Sequence, residues 1–300
     1  MVRDSISVAM AAYNGEKFLR AQIESILNQS LNPGEIIVCD DKSTDQTEGI
    51  LREYASKGVL KYFINGTTLG PLRNFQRAIS LCSGTYIALS DQDDVWLKDK
   101  LKISLREMQI IEAHQGKPSI VYGDLELVDE NLSPINSSLW KQLRAIPERD
   151  TFNTLLFGNV VTGCTLLMNR PMANHLRNVP EEAIMHDYWA ALIAYGFGQV
   201  GIVSKPLVKY RQHSLNVTDN YRRNMKNRIA AFLIDVKYSM KNNQFLKAEI
   251  AQAKQFQRLF NSMLSAENKR ELSRFVALEN AGFLKRKWKS FQSNLYFINQ

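Results

Sequence analysis

Three carboxylates close the stretch Tyr86–Trp96, which reads Tyr-Ile-Ala-Leu-Ser-Asp-Gln-Asp-Asp-Val-Trp. An apolar strand pattern runs straight into Asp91, Asp93 and Asp94, and an unpaired carboxylate inside a buried strand would be very costly. The acids are therefore expected at the exposed C-terminal end of the strand, the end that faces the ligand crevice in an open α/β sheet. Two acids one residue apart suit a magnesium-type cation, which takes one or two carboxylates and fills its other positions with water and substrate phosphates. An acidic turn capping the next helix is the alternative that needs no chemistry.

The elements that must position these acids repeat along the first part of the chain. Ile6–Ala12 is apolar and β-branched and ends in Tyr13-Asn14-Gly15, after which Phe18, Leu19, Ile23, Ile26 and Leu27 recur at helical spacing. Glu35–Cys39 reads as a second buried strand ending in Asp40-Asp41-Lys42-Ser43-Thr44-Asp45, before a helix with Ile50, Leu51 and Tyr54. Leu60–Ile64 makes a third strand, and Leu72, Phe75, Ala78, Ile79 and Cys82 make a helix that leads into Tyr86. Alternating strands and helices predict a parallel sheet covered on both faces. Tyr13, the Asp40-Asp41 pair and the Asp91–Asp94 group each follow a strand, a recurrence that helix capping alone does not account for.

Further along, a long amphipathic helix is expected from Leu97 to Gln115, a strand over Ser119–Val128, and a loose loop over residues 131–160, where a variable partner-binding segment would sit. Val160–Met168 reads as a strand interrupted by Thr162-Gly163, where the Gly lets backbone approach a ligand. A polar and aromatic group, Met185-His186-Asp187-Tyr188-Trp189, opens a short helix, and the strand Pro206–Tyr210 runs into Arg211-Gln212-His213. Beyond Asn220 the pattern is helical throughout, from Ile229, Phe232 and Leu233 to Phe275, Leu278 and Phe283.

Charge divides the chain at the same place. Tyr221 to Gln300 holds 16 Lys/Arg against 5 Asp/Glu, whereas the preceding 220 residues hold 22 against 25. The expected organisation is thus an α/β domain over 1–220 and a basic helical region over 221–300. Cys39, Cys82 and Cys164 are odd in number and embedded in apolar sequence, which predicts reduced core thiols. Met1-Val-Arg-Asp runs directly into strand pattern, so no secretory signal is expected, and no run of 18 or more apolar residues is present.

Ile6–Leu19, Ile36–Thr47, the Gly70-Pro71-Leu72-Arg73-Asn74 loop and Leu89–Trp96 together resemble the nucleotide-binding half of a family 2, GT-A-fold glycosyltransferase. The resemblance covers roughly the first 215 residues, with its motifs in the right order. It implies a Rossmann-like mixed sheet flanked by helices, with a C-terminal helical region appended. Ser-Asp-Gln-Asp-Asp-Val-Trp, His-Asp-Tyr-Trp and Tyr-Arg-Gln-His are similar to segments of bacterial rhamnosyltransferases that build surface polysaccharide.

The resemblance implies sugar transfer from a nucleoside diphosphate to an acceptor hydroxyl, with Mg2+ or Mn2+ bridging the leaving diphosphate. Asp93 would ligate the metal and Asp91 would sit near the ribose or the metal's water shell, leaving Asp94 to cap the following helix. Asp40 or Asp41 can accept the imide N–H of uracil or thymine, and the family favours Asp41; Tyr13 can lie against the base. Arg73 suits the ribose or diphosphate, or else a solvated surface. Arg211 is counted with the donor-binding residues, and His213 either ligates the metal, touches phosphate as a neutral imidazole, or is structural.

Inverting transfer needs a general base opposite the leaving group. The family carries an acidic pair where this chain has His186-Asp187, so only Asp187 carries over; by chemistry alone His186 could serve instead. The implied donor is dTDP-L-rhamnose or a UDP-sugar, and the implied acceptor is a surface or polyprenyl-linked glycan. Phe283-Leu284-Lys285-Arg286-Lys287-Trp288-Lys289 fits an amphipathic segment on an anionic membrane, which would place the protein on the inner face of the plasma membrane, or a basic helical face in a homodimer. A nucleotidyltransferase would carry a Gly-rich, basic phosphate loop, which Tyr13-Asn14-Gly15 is not. A nucleic-acid binder would not need the acids, and no nucleic-acid partner is expected.

Overall fold

A computed structural model of the chain describes residues 5–112, 116–213 and 246–282, together with Arg286 and Lys289. Three β-α units and a fourth strand open it: β1 (Ile6–Ala12), α1 (Leu19–Leu27), β2 (Glu35–Asp40), α2 (Thr47–Ser56), β3 (Lys61–Ile64), α3 (Gly70–Leu81) and β4 (Tyr86–Ser90). Side chains alternate across the sheet, as a strand's period of two requires. Ile6, Val8, Met10 and Ala12 of β1 join one apolar cluster with α1 and α2, while Ala9 joins the other with Phe75, Ala78 and Ile79 of α3.

The chain continues through β5 (Val95–Trp96), α4 (Lys100–Ile111), β6 (Ser119–Gly123), β7 (Glu126–Val128), β8 (Pro134–Asn136), α5 (Leu139–Leu143) and α6 (Phe152–Phe157). It then forms β9 (Leu167–Asn169), α7 (Arg170–His175), α8 (His186–Phe197), β10 (Gln199–Val203) and β11 (Val208–Arg211), and two further helices span Lys247–Phe260 and Ala266–Val276. Seven strands make the main sheet in the order β10-β6-β9-β4-β1-β2-β3, and four make a small sheet in the order β5-β11-β7-β8. In the main sheet β9 pairs antiparallel with β4 and β6, so the sheet is mixed.

Three sequence expectations change. Ser119–Val128 is two strands in different sheets, because Asp124 turns the chain: its Oδ1 accepts from Leu125 N at 2.8 Å and Trp140 N at 3.1 Å, and Ser138 Oγ donates to Oδ2. Val160–Met168 is extended only from Leu167. Gly163–Thr165 forms a tight 3-10 turn in which Thr165 Oγ1 bonds Thr162 O at 2.7 Å, a local side-chain bond that competes with strand pairing. The 131–160 segment carries β8, α5 and α6, the last started by a capping box between Thr151 and Thr154.

The helices Lys247–Phe260 and Ala266–Val276 pack on α6 and α8. Phe256 is fully buried, with ring centroids 5.4 Å from Trp189 and 5.6 Å from Phe152. Contact is close enough that a Cβ on Gly196 would lie 3.2 Å from Leu264 and 3.3 Å from Phe256. Ile250, Ala253, Leu272, Phe275 and Leu278 belong to the same cluster as the α3 and α8 side chains. Ile229, Phe232, Leu233 and most of the Phe283–Lys289 segment lie outside the described residues. Phe256→Ala is expected to lower the unfolding free energy by about 3–5 kcal/mol, the range for emptying a buried aromatic site. Urea titration followed by both fluorescence and circular dichroism should show a single shifted transition.

Candidate active site

β1 lies between β2 and β4, parallel to both, with Ala12 level with Asp40 and Met10 level with Ser90. Tyr13, Asp41 and Asp91 therefore leave the sheet at one edge. The connections run outward from β1 to β2 and β3 on one side and return to β4 on the other, so β1/β4 is the point where an open sheet parts into a crevice. Gln92 bridges it: Tyr13 N donates to its Oε1 and its Nε2 donates to Tyr13 O, both at 2.8 Å. Gly15 admits this clamp, since a Cβ there would meet Gln92 Oε1 at 2.2 Å. The sequence marked Gln92 only as a spacer between acids. The Tyr13 ring is 49% exposed and free to meet a planar ligand.

The loop after β2 is stitched to the loop after β1. Asp40 is buried and directs both oxygens at Ser43, while Ser43 Oγ accepts from Asn14 N at 2.8 Å and Thr47 Oγ1 from Gly15 N at 2.7 Å. Asp40, expected as a candidate for the nucleotide base, is thereby turned inward as a loop anchor. Asp41 accepts from Asn65 Nδ2 at 2.7 Å, Leu69 N at 2.7 Å and Gly70 N at 2.8 Å, which fixes the start of α3. A carboxylate offers about four lone-pair directions, so about one remains. Arg73 Nη1 donates to Val179 O at 2.5 Å and Gln76 Oε1 at 2.7 Å, tying α3 to the segment ahead of α8; these contacts point this donor away from the diphosphate contact expected of it.

The acids beyond β4 are braced by the residues that end β11. Arg211 Nε donates to Asp93 O at 2.7 Å, Arg211 Nη1 to Glu130 O, and Arg211 N to Asp94 Oδ1 at 3.2 Å. His213 Nε2 lies 2.8 Å from Asp93 Oδ2. Arg211, expected among donor-binding residues, thus grips the acid loop itself. Asp94 is fully buried and caps no helix, in contrast to its expected role; Asp99 stands at the start of α4. Beneath Asp94 lie two groups that the sequence did not place at the site, Lys100 and the core thiol Cys164. Cys164 is fully buried with its thiol pushed up by burial and by Asp94, and Lys100 holds its Nζ 3.7 Å above the Trp96 ring with no hydrogen-bond partner. Burial lowers the Lys100 pKa to about 7, opposed by the charges of Cys164 and Asp94.

Asp187 joins this group from α8. Its Oδ2 accepts from Gly163 N at 3.1 Å and its Oδ1 from Tyr188 N at 2.6 Å. Burial raises its pKa to about 6 against those two donors. Burial first, and then the charges of Asp93 and Asp187, raise the Asp91 pKa to about 8. His186 stacks on Phe75 with centroids 4.1 Å apart, and neither ring nitrogen has a partner. Burial drives its pKa down to about 3.

A divalent cation fits these donors. Asp91 and Asp93 are half-buried at the crevice and the His213 imidazole faces Asp93; the carboxylates suit Mg2+ or Mn2+, and an imidazole beside them matches an ion softer than Mg2+, such as Mn2+. Asp91, Asp94 and Cys164 also bring one ligand atom each within 4.8 Å of the others. Asp94 and Cys164 are sealed from solvent, so a cation shared with substrate phosphates would be held from Asp91, Asp93 and His213.

His186 makes an acid-stability prediction. Its folded pKa of about 3 lies below the ordinary 6.5, so the unfolded chain binds the extra proton first. The folded state is unpenalised above pH 6.5 and loses stability as pH falls from there towards 3, by up to about 1.4 kcal/mol per pH unit. His186→Phe should flatten urea midpoints measured between pH 6.5 and 4; an unchanged slope would show that His186 does not carry the loss.

Residues 7–176 match the family described as Glycosyl transferase family 2. The Escherichia coli UDP-Glc:alpha-D-GlcNAc-diphosphoundecaprenol beta-1,3-glucosyltransferase WfgD is 32% identical over 170 residues, covering 56% of this chain and 62% of that protein. The chain thus spans less than two thirds of that relative's length. The dTDP-rhamnosyl transferase RfbG of Shigella flexneri is 27% identical over 225 residues, 69% of this chain and 72% of that one. Two solved structures share the fold. TarS 1–349 of S. aureus in complex with UDP-GlcNAc aligns with a TM-score of 0.56 at 18% identity, over 98% of this chain and 80% of that one. The Pyrobaculum calidifontis mannosyltransferase PcManGT, in complex with GDP-Man and Mn2+, aligns at 0.51 and 14% identity, over 98% and 81%. With the family matched over more than half its length and the architecture shared, this chain belongs to glycosyl transferase family 2 and has the GT-A fold.

Proposed function

We propose that the crevice between β1 and β4 holds a nucleoside diphosphate sugar and that the chain transfers the sugar, with inversion, to a hydroxyl of a surface or polyprenyl-linked glycan. The observation that carries this is the placement of the acids: Asp91 and Asp93 follow the C-terminal end of β4 at the mouth of the crevice, where His213 Nε2 lies 2.8 Å from Asp93 Oδ2 and a cation would offset the carboxylate charge. A cation held by Asp91, Asp93 and His213 would act as Lewis acid towards the leaving diphosphate. The exposed Tyr13 ring offers a face to the base, and the remaining lone-pair direction of Asp41 can accept an imide N–H of uracil or thymine. Asp40 and Arg211 keep these groups in place.

Asp187 is the general base. The backbone N–H groups of Gly163 and Tyr188 fix its two oxygens, and its pKa of about 6 leaves it ionised at neutral pH and basic enough to take the acceptor's proton. His186, driven to about 3, is far weaker as a base. dTDP-L-rhamnose is the favoured donor, supported by the rhamnosyl relative in Shigella flexneri; a UDP-hexose is the second reading, supported by the glucosyl relative in Escherichia coli. The latter's diphosphoundecaprenol acceptor supports a membrane-borne acceptor here, approached from the basic 221–300 region. No helix among the described residues is long and apolar enough to cross a membrane.

A panel of nucleotide sugars assayed with Mg2+ or Mn2+ should give turnover with one deoxythymidine or uridine donor, and turnover with a guanosine or cytidine donor alone would overturn the base assignment. Asp187→Asn should keep nucleotide affinity within about twofold while turnover falls by about 10²–10⁴. Wild-type kcat/KM should fall as pH drops through about 6, where Asp187 takes up its proton. Asp93→Ala should abolish cation-dependent turnover, and unaltered rates in that variant would remove Asp93 from the site.

A further inference from the structure

Phe18 stands just ahead of α1, where its spacing marks it as one more apolar residue of a helix. In the fold its ring meets the two residues that brace the acids. Arg211 Cζ lies 4.5 Å from the ring centroid, the His213 ring lies 4.9 Å away at 32°, and Lys17 Nζ lies 5.0 Å away. From its other side the same pair holds Asp93, through Arg211 Nε on the carbonyl at 2.7 Å and His213 Nε2 beside Oδ2 at 2.8 Å. Lys17 pairs with Glu130, whose carbonyl accepts from Arg211, so the contacts close around the ring.

We propose that Phe18 is a positioning residue of the cation site: a flat platform that fixes the planes of Arg211 and His213 so that His213 Nε2 and Asp93 Oδ2 address the same divalent cation. The inference rests on the donor-site reading given above. His213 lies two residues beyond the last residue of β11, so strand pairing does not set the tilt of its ring. An aromatic face does, because imidazole packs against it in a preferred plane and the guanidinium is held over it by the ring quadrupole. A leucine at this position would keep the apolar contact and lose the flat face that holds the imidazole plane from this side. Phe18 therefore acts on the cation through His213, without touching it.

The test compares wild type, Phe18→Leu, Phe18→Tyr, His213→Ala and the Phe18→Leu/His213→Ala double variant. Mn2+ binding is read from the electron paramagnetic resonance signal of the free ion in the presence of UDP or dTDP, and nucleotide binding by calorimetry in EDTA. Phe18→Leu should weaken Mn2+ binding about tenfold and leave metal-free nucleotide affinity within about twofold, while Phe18→Tyr stays within about twofold on both; in the His213→Ala background Phe18→Leu should add at most about twofold, as coupled neighbours do. Equal Mn2+ affinity in Phe18→Leu and wild type, equal losses in the Leu and Tyr variants, or fully additive losses with His213→Ala would each overturn the proposal. A role in packing alone would lower the thermal midpoint and weaken both ligands together, and Phe18→Met replaces Phe18→Leu should the latter not fold. Wild type that takes up neither Mn2+ nor nucleotide would overturn the donor-site reading, and this inference with it.

Discussion

Negative charge crowded at one end of β4 is the constraint to which the surrounding structure answers. Asp91 and Asp94 have oxygens within 4.8 Å, and two like charges at that spacing repel by about 3–4 kcal/mol at an effective dielectric near 20. Asp93 and Asp187 add to the same field. The crowding is tolerated in two ways. Asp91 and Asp94 are pushed towards their protonated forms, and the positive groups of Lys100 and Arg211 stand behind the loop. A cation entering the crevice would replace protons with a tighter charge, which couples its binding to pH.

The same loop must be held in place against that repulsion, and the fold supplies contacts from three directions. Gln92 fastens it to the end of β1 through both amide atoms. Arg211 fastens it to β11 and to the Glu130 carbonyl, and β5, the loop's continuation, pairs antiparallel with β11 at Trp96 and Val208. Asp40 and Asp41 do comparable work one strand away, Asp40 joining two loops and Asp41 ordering the start of α3. Much of the polar chemistry around the crevice is thus structural, and on the proposed function the groups left to face a ligand are Tyr13, Asp91, Asp93, Asp187, His213 and the remaining lone-pair direction of Asp41.

The C-terminal helices belong to this economy of support. Phe256 and Phe275 pack beneath α6 and α8, and α8 carries Asp187 at its first turn. The Gly163 N–H fixes one Asp187 oxygen, and the 3-10 turn that presents it sits where the sequence reads as a strand interrupted at Thr162-Gly163. Thr162 and Thr165 both have strand propensity, and their bonding to each other closes the turn.

Local pattern was enough to name the first four strands, because buried strands alternate and amphipathic helices recur at 3.6 residues: Ile6–Ala12 is read to the residue, and β2, β3 and β4 within about one. It also placed Asp41 and Asp91 at strand ends, since an unpaired carboxylate inside a sheet is costly, and Tyr13 at the end of β1. Pairing across long separations was not legible. Asp93 meets His213 across 120 residues and Arg211 across 118, and nothing in either segment's spacing encodes the other. Nor does sequence tell a carboxylate that faces a crevice from one that caps, anchors or is sealed beneath it, as Asp40 and Asp94 are. That choice depends on which backbone N–H groups and which charges the fold brings within about 3 Å of each oxygen, a property of tertiary packing alone.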